Sequence, residues 1–339
     1  MSTEVRADSD TGRGFYAMRN LEEGECVLTC RPYASVITNA WQKDRCICWS
    51  CFQVSPRRLQ VKCGCQTKHG DLHCMAVYCS DACRDLDARQ GHQLACLYLI
   101  QLRRVCLKLL KQKRAHSDAN IADDHLWEND IVPLKLLRDF VPMAEEIDLM
   151  HLCVSALCRR SMAIMNAVDV SCEPEPSWAD VMLMQDNQDN FYRQTMPQDD
   201  AVSRPRYRLM YHFLSMAVGI PKTIIGPDSS LFRSFVFREM ANSFGIWDTP
   251  DDVTDVSELL GFAVYPQATF FNHSCSPNVA KCRVGATLKF TTTTNVLSQT
   301  PLTIAYGNVD APVSVRRRRL LENYFFECGC RRCVRESSE

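Results

Sequence analysis

Along the first part of the chain, short apolar stretches alternate with turn formers. Over residues 12–45, the run GRGFYAMRNLEEGECVLTCRPYASVI sets aromatic and β-branched residues between Gly-Arg-Gly, Glu-Glu-Gly-Glu and Arg-Pro, which predicts several short strands. From Leu94 the spacing becomes helical. LACLYLIQLRRVCLKLLKQK repeats its apolar residues every three to four positions and fills its last turns with Lys and Arg. Helical patterns recur around Asp130 to Met165 and Arg206 to Met216. Between them, residues 166–205 are rich in Asp, Asn, Gln and Pro and read as a long loop or weakly ordered insertion, and Asp248 to Asp255 as a surface loop. From Leu260 strand-like runs return (FAVYP, ATLKFTTTT, PLTIAY), followed by a charged helix, VSVRRRRLLENYF. No internal repeat or low-complexity tract is present.

Composition narrows the class. The 339 residues suggest about two domains, and 46% hydrophobic with 23% charged residues is the balance of a globular chain. The net charge of -1 gives no reason to expect direct nucleic-acid binding. The longest apolar run, Leu94 to Ile100, is far too short to span a bilayer, and the polar start MSTEVRADSD predicts no secretory leader.

The informative residue is cysteine, with 20 copies. Cys46, Cys48, Cys51, Cys63, Cys65, Cys74, Cys79, Cys83 and Cys96 crowd into one short stretch, and Cys275, Cys328, Cys330 and Cys333 lie near the chain end. In a large chain without a leader, short-spaced cysteines read as thiolate zinc ligands rather than a disulfide framework. Cys79-x3-Cys83 and His92-x3-Cys96 each fit one helical turn, which puts both side chains on one face, and Cys48-x2-Cys51 is a knuckle. With Cys63, Cys65 and Cys74 there are ligands for two tetrahedral sites. Cys328, Cys330 and Cys333 supply three thiolates, one short of a third.

The order C-x2-C, a middle pair, YC-x3-C and H-x3-C resembles the MYND zinc finger. The resemblance implies interleaved ligands: Cys48 and Cys51 with Cys79 and Cys83, and the middle pair with His92 and Cys96. Cys74 stands as the second middle ligand, and either Cys63 or Cys65 is the first. Residues 265–278, YPQATFFNHSCSPN, resemble the Asn-His-Ser-Cys segment of the SET-and-MYND (SMYD) lysine methyltransferases. Gly12-Arg13-Gly14, Asn242-Ser243-Phe244, LTIAYG and ENYFFECGCRRC match the same family in the right order. The segment before Tyr306 departs from it: Gln299-Thr300-Pro301 replaces a charged Gly-Glu-Glu turn. The region between Cys96 and Asn242 is longer than the family's usual helical insertion, and a counterpart of the family's C-terminal helical domain is not expected from this sequence.

The fold this implies is α+β. A β-rich SET fold, with an N-terminal part in 1–45 and a core in 236–307, is interrupted by a MYND finger (46–96) and a helical insertion (97–235). A post-SET zinc segment (308–339) closes it, with Cys275 as the fourth ligand of Cys328, Cys330 and Cys333. The implied activity is transfer of a methyl group from S-adenosylmethionine to a lysine of a protein or histone tail. Gly12, Arg13, Gly14, Asn242, Asn272, His273 and Phe326 are expected at the cofactor, and Tyr306 and Tyr324 as the catalytic pair. Phe244, Tyr306 and Tyr324 are expected to line the lysine channel. About three zinc ions are expected, as are a monomer, a nuclear or cytoplasmic location and a proline-containing peptide partner at the finger. The rival reading is a non-catalytic adaptor with a relic SET portion. The run Arg316 to Arg319 reads as the solvated face of a helix, with a nuclear signal or basic groove as the alternative.

Overall fold

The structure, a computed structural model, describes residues 2–9, 11–65, 72–111, 137, 139–165, 175–193, 203–248 and 257–338. The strands form small, separate sheets. β1 (Thr3–Asp8) and β2 (Gly12–Ala17) make an antiparallel ribbon. β3 (Cys26–Cys30), β10 (Val279–Val284) and β11 (Thr287–Thr292) make a second sheet with β11 central. β4 (Ala34–Ile37), β7 (Ser243–Trp247) and β8 (Leu259–Val264) make a third with β8 central, in which Ala34 and Ser243 both face Val264. β9 (Asn272–His273) pairs in parallel with β12 (Thr303–Ile304). β5 (Val61–Lys62) and β6 (Val77–Tyr78) pair within the cysteine-rich segment. The strand-rich reading of residues 12–45 matches β2 to β4. β1 begins earlier, and β10 carried no clear alternation to announce it.

Helices fill the middle of the chain: α1 (Asp81–Asp87), α2 (Gln93–Lys111), α3 (Ala144–Met165), α4 (Trp178–Leu183), α5 (Gln188–Arg193), α6 (Ser203–His212) and α7 (Ser230–Glu239). α8 (Val313–Tyr324) and α9 (Arg331–Glu336) follow the last strand. The loop reading of 166–205 needs correction, because 175–193 holds two helices. Ser177 and Asp180 form a reciprocal capping box, and Trp178 stacks on Phe235 with centroids 6.1 Å apart. Burial of Val181 in the helical core, and of Phe191 against Tyr207 and Phe237, outweighs the polar composition around them. Residues 203–205 begin α6, and the remainder of that call, with the expectation for residues 249–255, lies outside the described residues.

Two large hydrophobic cores form among the described residues. One joins α2, α3, α6, α7 and β4 around Leu152, Leu157, Phe213 and Phe235, all fully or almost fully buried. The other lies among the sheets around Phe271, Phe290 and Tyr265. Trp49, in the first cysteine knuckle, packs against both of these and against a small finger cluster of Cys48, Ala76 and Tyr78. The finger is thereby joined to the body of the molecule. Gly91 allows a second close approach. It sits at φ +123° between α1 and α2, and an added Cβ would lie 2.9 Å from the backbone of Arg159 on α3.

Candidate active site and metal centres

Six stretches of chain, forming four walls, converge on one cavity of about 640 Å³. The turn before β2 contributes Thr11, Gly12 and Arg13, and the segment after β8 contributes Thr269, Phe270, Asn272 and His273. Tyr306 follows β12, Tyr324 is the last residue of α8, and Phe326 and the Glu327–Cys330 turn follow it. The fourth wall comes from the helical insertion and α7: Gln185, Asn187, Ala241 and Asn242.

Each wall has a local reason. Gly14 carries no Cβ, and one added there would lie 2.6 Å from Asn272 Nδ2, so β2 passes close to the Asn-His pair only because residue 14 is glycine. Parallel pairing of β9 with β12 sets Asn272 and His273 beside Thr303 and Ile304, two residues before Tyr306. Phe325 adopts a left-handed conformation (φ 63°) that ends α8, with its N–H on Leu321 O. The chain reverses there, and Tyr324 and Phe326 on either side both reach the cavity. A bulky residue at positive φ stores about 1–2 kcal/mol of strain, which the surrounding packing holds in place.

The two tyrosines differ in their commitments. Tyr306 donates its hydroxyl to Phe271 O at 2.8 Å, while the Tyr324 hydroxyl reaches Tyr306 O only at 3.4 Å. Their rings lie 4.8 Å apart, and burial raises both phenol pKa values, so both hydroxyls stay protonated. His273 Nδ1 accepts the Tyr306 backbone N–H at 3.2 Å. The ring proton therefore sits on Nε2, 3.3 Å from Cys275 Sγ. Burial first, and then the Arg316 charge, lower the His273 pKa to about 4. Asn242 donates its side-chain amide to Gln185 O (3.0 Å) and Arg238 O (2.7 Å), which fixes its orientation at the cavity. The Arg13 guanidinium donates to Leu183 O at 2.6 Å and lies over the Phe270 ring, tying the insertion to the β2 turn.

Three groups of four ligand atoms, each group mutually within 4.8 Å, occur among the described residues: Cys48, Cys51, Cys79 and Cys83; Cys63, Cys74, His92 and Cys96; and Cys275, Cys328, Cys330 and Cys333. Every described cysteine is free. The Sγ–Sγ separations are 3.6 Å for Cys51–Cys79 and Cys79–Cys83, 3.7 Å for Cys63–Cys96 and 3.5 Å for Cys275–Cys333. A tetrahedron with Zn–S arms of about 2.3 Å has edges near 3.8 Å, whereas a disulfide would need about 2.05 Å. The three groups fit three zinc ions. His92 faces the second group through Nε2, and its Nδ1 lies 3.6 Å from Asp87, whose carboxylate also accepts the Tyr78 hydroxyl. Such a carboxylate fixes the orientation of a ligating imidazole.

Most of the expected site residues come together, with two corrections and one revision. Cys65 stays outside the second group; its backbone N–H donates instead to Cys63 Sγ at 3.3 Å. Phe244 is not in the cavity. Its ring sits edge-on to Tyr265 at 5.7 Å, because on β7 it shares the core face with Ile246 two residues on. Arg316 is not on a solvated face: it is 3% exposed and turned toward the C-terminal thiolates. Sequence reasoning also missed Asp87, Gln185 and Asn187. No motif marks the last two, which reach the cavity only through the fold of the insertion.

A family profile for the SET domain matches residues 12–307. The chain therefore belongs to the SET domain family and, within it, to the SET-and-MYND proteins. It is 23% identical to a SET and MYND domain-containing protein of Dictyostelium discoideum, over 99% of this chain and 82% of that one. It is 24% identical to the N-lysine methyltransferase SMYD2-A of Danio rerio, over 99% of this chain and 61% of the relative. A potential protein lysine methyltransferase, SET6, of Saccharomyces cerevisiae is 37% identical over 31% of this chain and 28% of its own length. The chain thus spans less than two thirds of the length of the last two relatives.

Proposed function

We propose that the chain is a protein-lysine N-methyltransferase that uses S-adenosylmethionine. The observation that carries this reading is the cavity of about 640 Å³ that joins the Thr11–Arg13 turn, Asn242, the Asn272–His273 pair and both tyrosines. Its volume falls in the range of small-molecule and cofactor sites, and its walls mix aromatic rings with backbone and amide polar groups. S-adenosylmethionine, when bound, supplies an electrophilic methyl on a sulfonium. Asn272, Asn242 and the backbone of His273 would hold its polar ends, and Phe326 would supply an apolar contact, since all four residues line the cavity.

The chain's own residues then act mainly by positioning. The lysine must arrive as a neutral amine, although its ordinary pKa is about 10.4. Tyr306, Tyr324 and Phe326 form an aromatic wall that disfavours the ammonium by desolvation. Tyr324 has the hydroxyl less tightly engaged and orients the amine lone pair; Tyr306, locked on Phe271 O, fixes the wall and a carbonyl edge. The finger's surface is a second element of this proposal, as a dock for proline-containing partners, with the protein acting in a reducing nuclear or cytoplasmic setting.

Tyr324→Phe tests the assignment, since it keeps the ring and removes only the hydroxyl. Turnover is expected to fall on the order of 100-fold while cofactor affinity changes less than about twofold, because the contact matters mostly in the transition state. Unchanged turnover in this variant would remove Tyr324 from the chemistry. A folded, metal-replete chain that binds no S-adenosylmethionine would favour the adaptor reading.

A further inference from the structure

Two of the three ligand groups are all-cysteine, and both would hold zinc with a net charge of about −2. Their surroundings differ. In the finger group only Cys48 is buried, and Cys79 is exposed, so water can screen the charge. In the C-terminal group Cys275, Cys328 and Cys333 are buried. A charge buried away from water is costly unless it is paired and hydrogen-bonded.

The pairing group is present. Arg316, on the inner face of α8 four residues before the buried Leu320, is 3% exposed. Its Nε lies 3.3 Å from Cys275 Sγ and its Nη2 lies 3.6 Å from Cys333 Sγ. The same fork reaches Ala311 O through Nη1 and Glu336 through Nη2. Arg332 completes the frame, donating to Cys275 O at 3.1 Å and to Glu336 at 2.7 Å. The two sulfurs that Arg316 touches come from opposite ends of the site, one from the Asn-His-Ser-Cys segment and one from α9.

We propose that Arg316 is the positioning residue of the C-terminal metal site, its guanidinium offsetting the buried thiolate charge and holding Cys275 against Cys333. The proposal rests on reading these cysteines as a zinc site. It extends that reading to the cavity, because Cys275 Sγ also faces His273 Nε2, and His273 holds the Tyr306 backbone. Arg316 thus acts on the cavity wall only through the metal ligands.

The test compares full-length Arg316→Met, which keeps a long apolar stem without charge, with Arg316→Lys, which keeps charge without the fork. Arg318→Met is the control, since Arg318 is exposed and lies 3.9 Å from Glu322. Zinc content is followed by native mass spectrometry as chelator is raised. Wild type and Arg318→Met are expected to hold three ions. Arg316→Met is expected to lose one at roughly 10- to 100-fold lower chelator, with the other two retained, and Arg316→Lys to fall between. In the cobalt-loaded protein, the thiolate-to-metal charge-transfer band should move to lower energy in Arg316→Met, since two sulfurs lose their outside donors. Wild-type resistance and spectrum in Arg316→Met would overturn the proposal. Should that variant fail to fold, an Arg316→Lys protein indistinguishable from the control would overturn it equally. A wild-type chain holding only two ions would remove the metal site itself, a failure seen before any variant is made.

Discussion

The two all-cysteine groups make an instructive pair. The finger group draws Cys48, Cys51, Cys79 and Cys83 from one local segment, and its far side faces solvent. The C-terminal group joins Cys275 to Cys328, Cys330 and Cys333 across most of the last strands and α8. The same donor set thus does two jobs. In the finger it cross-links a segment with a small core of its own. At the chain end it forms the back of the cavity wall, because Cys275 lies beside the Asn272–His273 pair and the Cys328–Cys330 turn lines the cavity itself. A metal site is coupled to a ligand site when the two share backbone, whatever the ligand set.

That contrast can be broken most forcefully by removing one ligand from each site. Cys275→Ser is expected to lose one zinc and, with it, more than about 100-fold in S-adenosylmethionine affinity, since the wall residues His273 and Tyr306 lose their anchor. Cys83→Ser is expected to lose one zinc and leave cofactor affinity within about threefold. Metal analysis and calorimetry on both proteins check this; equal loss of cofactor binding in the two would show that the sites are not different in kind.

Trp49 sharpens the comparison, because it ties the finger to both large cores. Trp49→Ala is expected to destabilise the protein by about 2–3 kcal/mol, below the roughly 3–5 kcal/mol of a fully buried aromatic truncation because the ring is only partly buried. Thermal melting at saturating zinc measures this. A melting point unchanged from wild type would mean that the finger is merely tethered.

The smallest effect concerns Asp148, on the side of α3 that meets the finger-proximal segment. Burial raises its carboxyl from the ordinary 3.8 to about 7, against the opposing hydrogen bond from Asn39 N–H at 2.8 Å. The unfolded chain ionises near 3.8 and the folded chain near 7, so the folded state binds more protons between these values. This group's contribution to stability therefore falls as pH rises through that window and levels off above it. Asp148→Asn should gain on wild type by about 1–2 kcal/mol between pH 6 and pH 8, where the zinc thiolates remain deprotonated. A stability gap that stays constant across that range contradicts the assignment.

Legibility in the sequence followed locality. The finger ligands were readable because their partners recur at knuckle and helical-turn spacing. The first middle ligand was not readable, since Cys63 and Cys65 differ only in which sulfur the β5–β6 hairpin turns inward. The strand runs at FAVYP, ATLKFTTTT and PLTIAY and the helix over 313–324 were plain from their periodicity. Arg316 was hidden by its neighbours: four arginines in a row give no face. The signal that could have found it is its spacing of four from Leu320, which puts both on the buried side of α8. Phe244 shows the converse: the motif match points to the channel, whereas strand alternation on β7 places it with Ile246. Gln185 and Asn187 belong to a polar stretch whose role exists only once α4, α5 and α7 have packed.

The central claim, that the cavity beside the Asn-His pair is a cofactor site, is tested most directly by isothermal titration of S-adenosylmethionine into the metal-replete chain and into Asn272→Ala. One binding site is expected in the wild type and an affinity about tenfold weaker in the variant, since a hydrogen-bond partner is removed inside a desolvated site. No heat of binding from the folded wild type, or equal affinity in the two proteins, would contradict it.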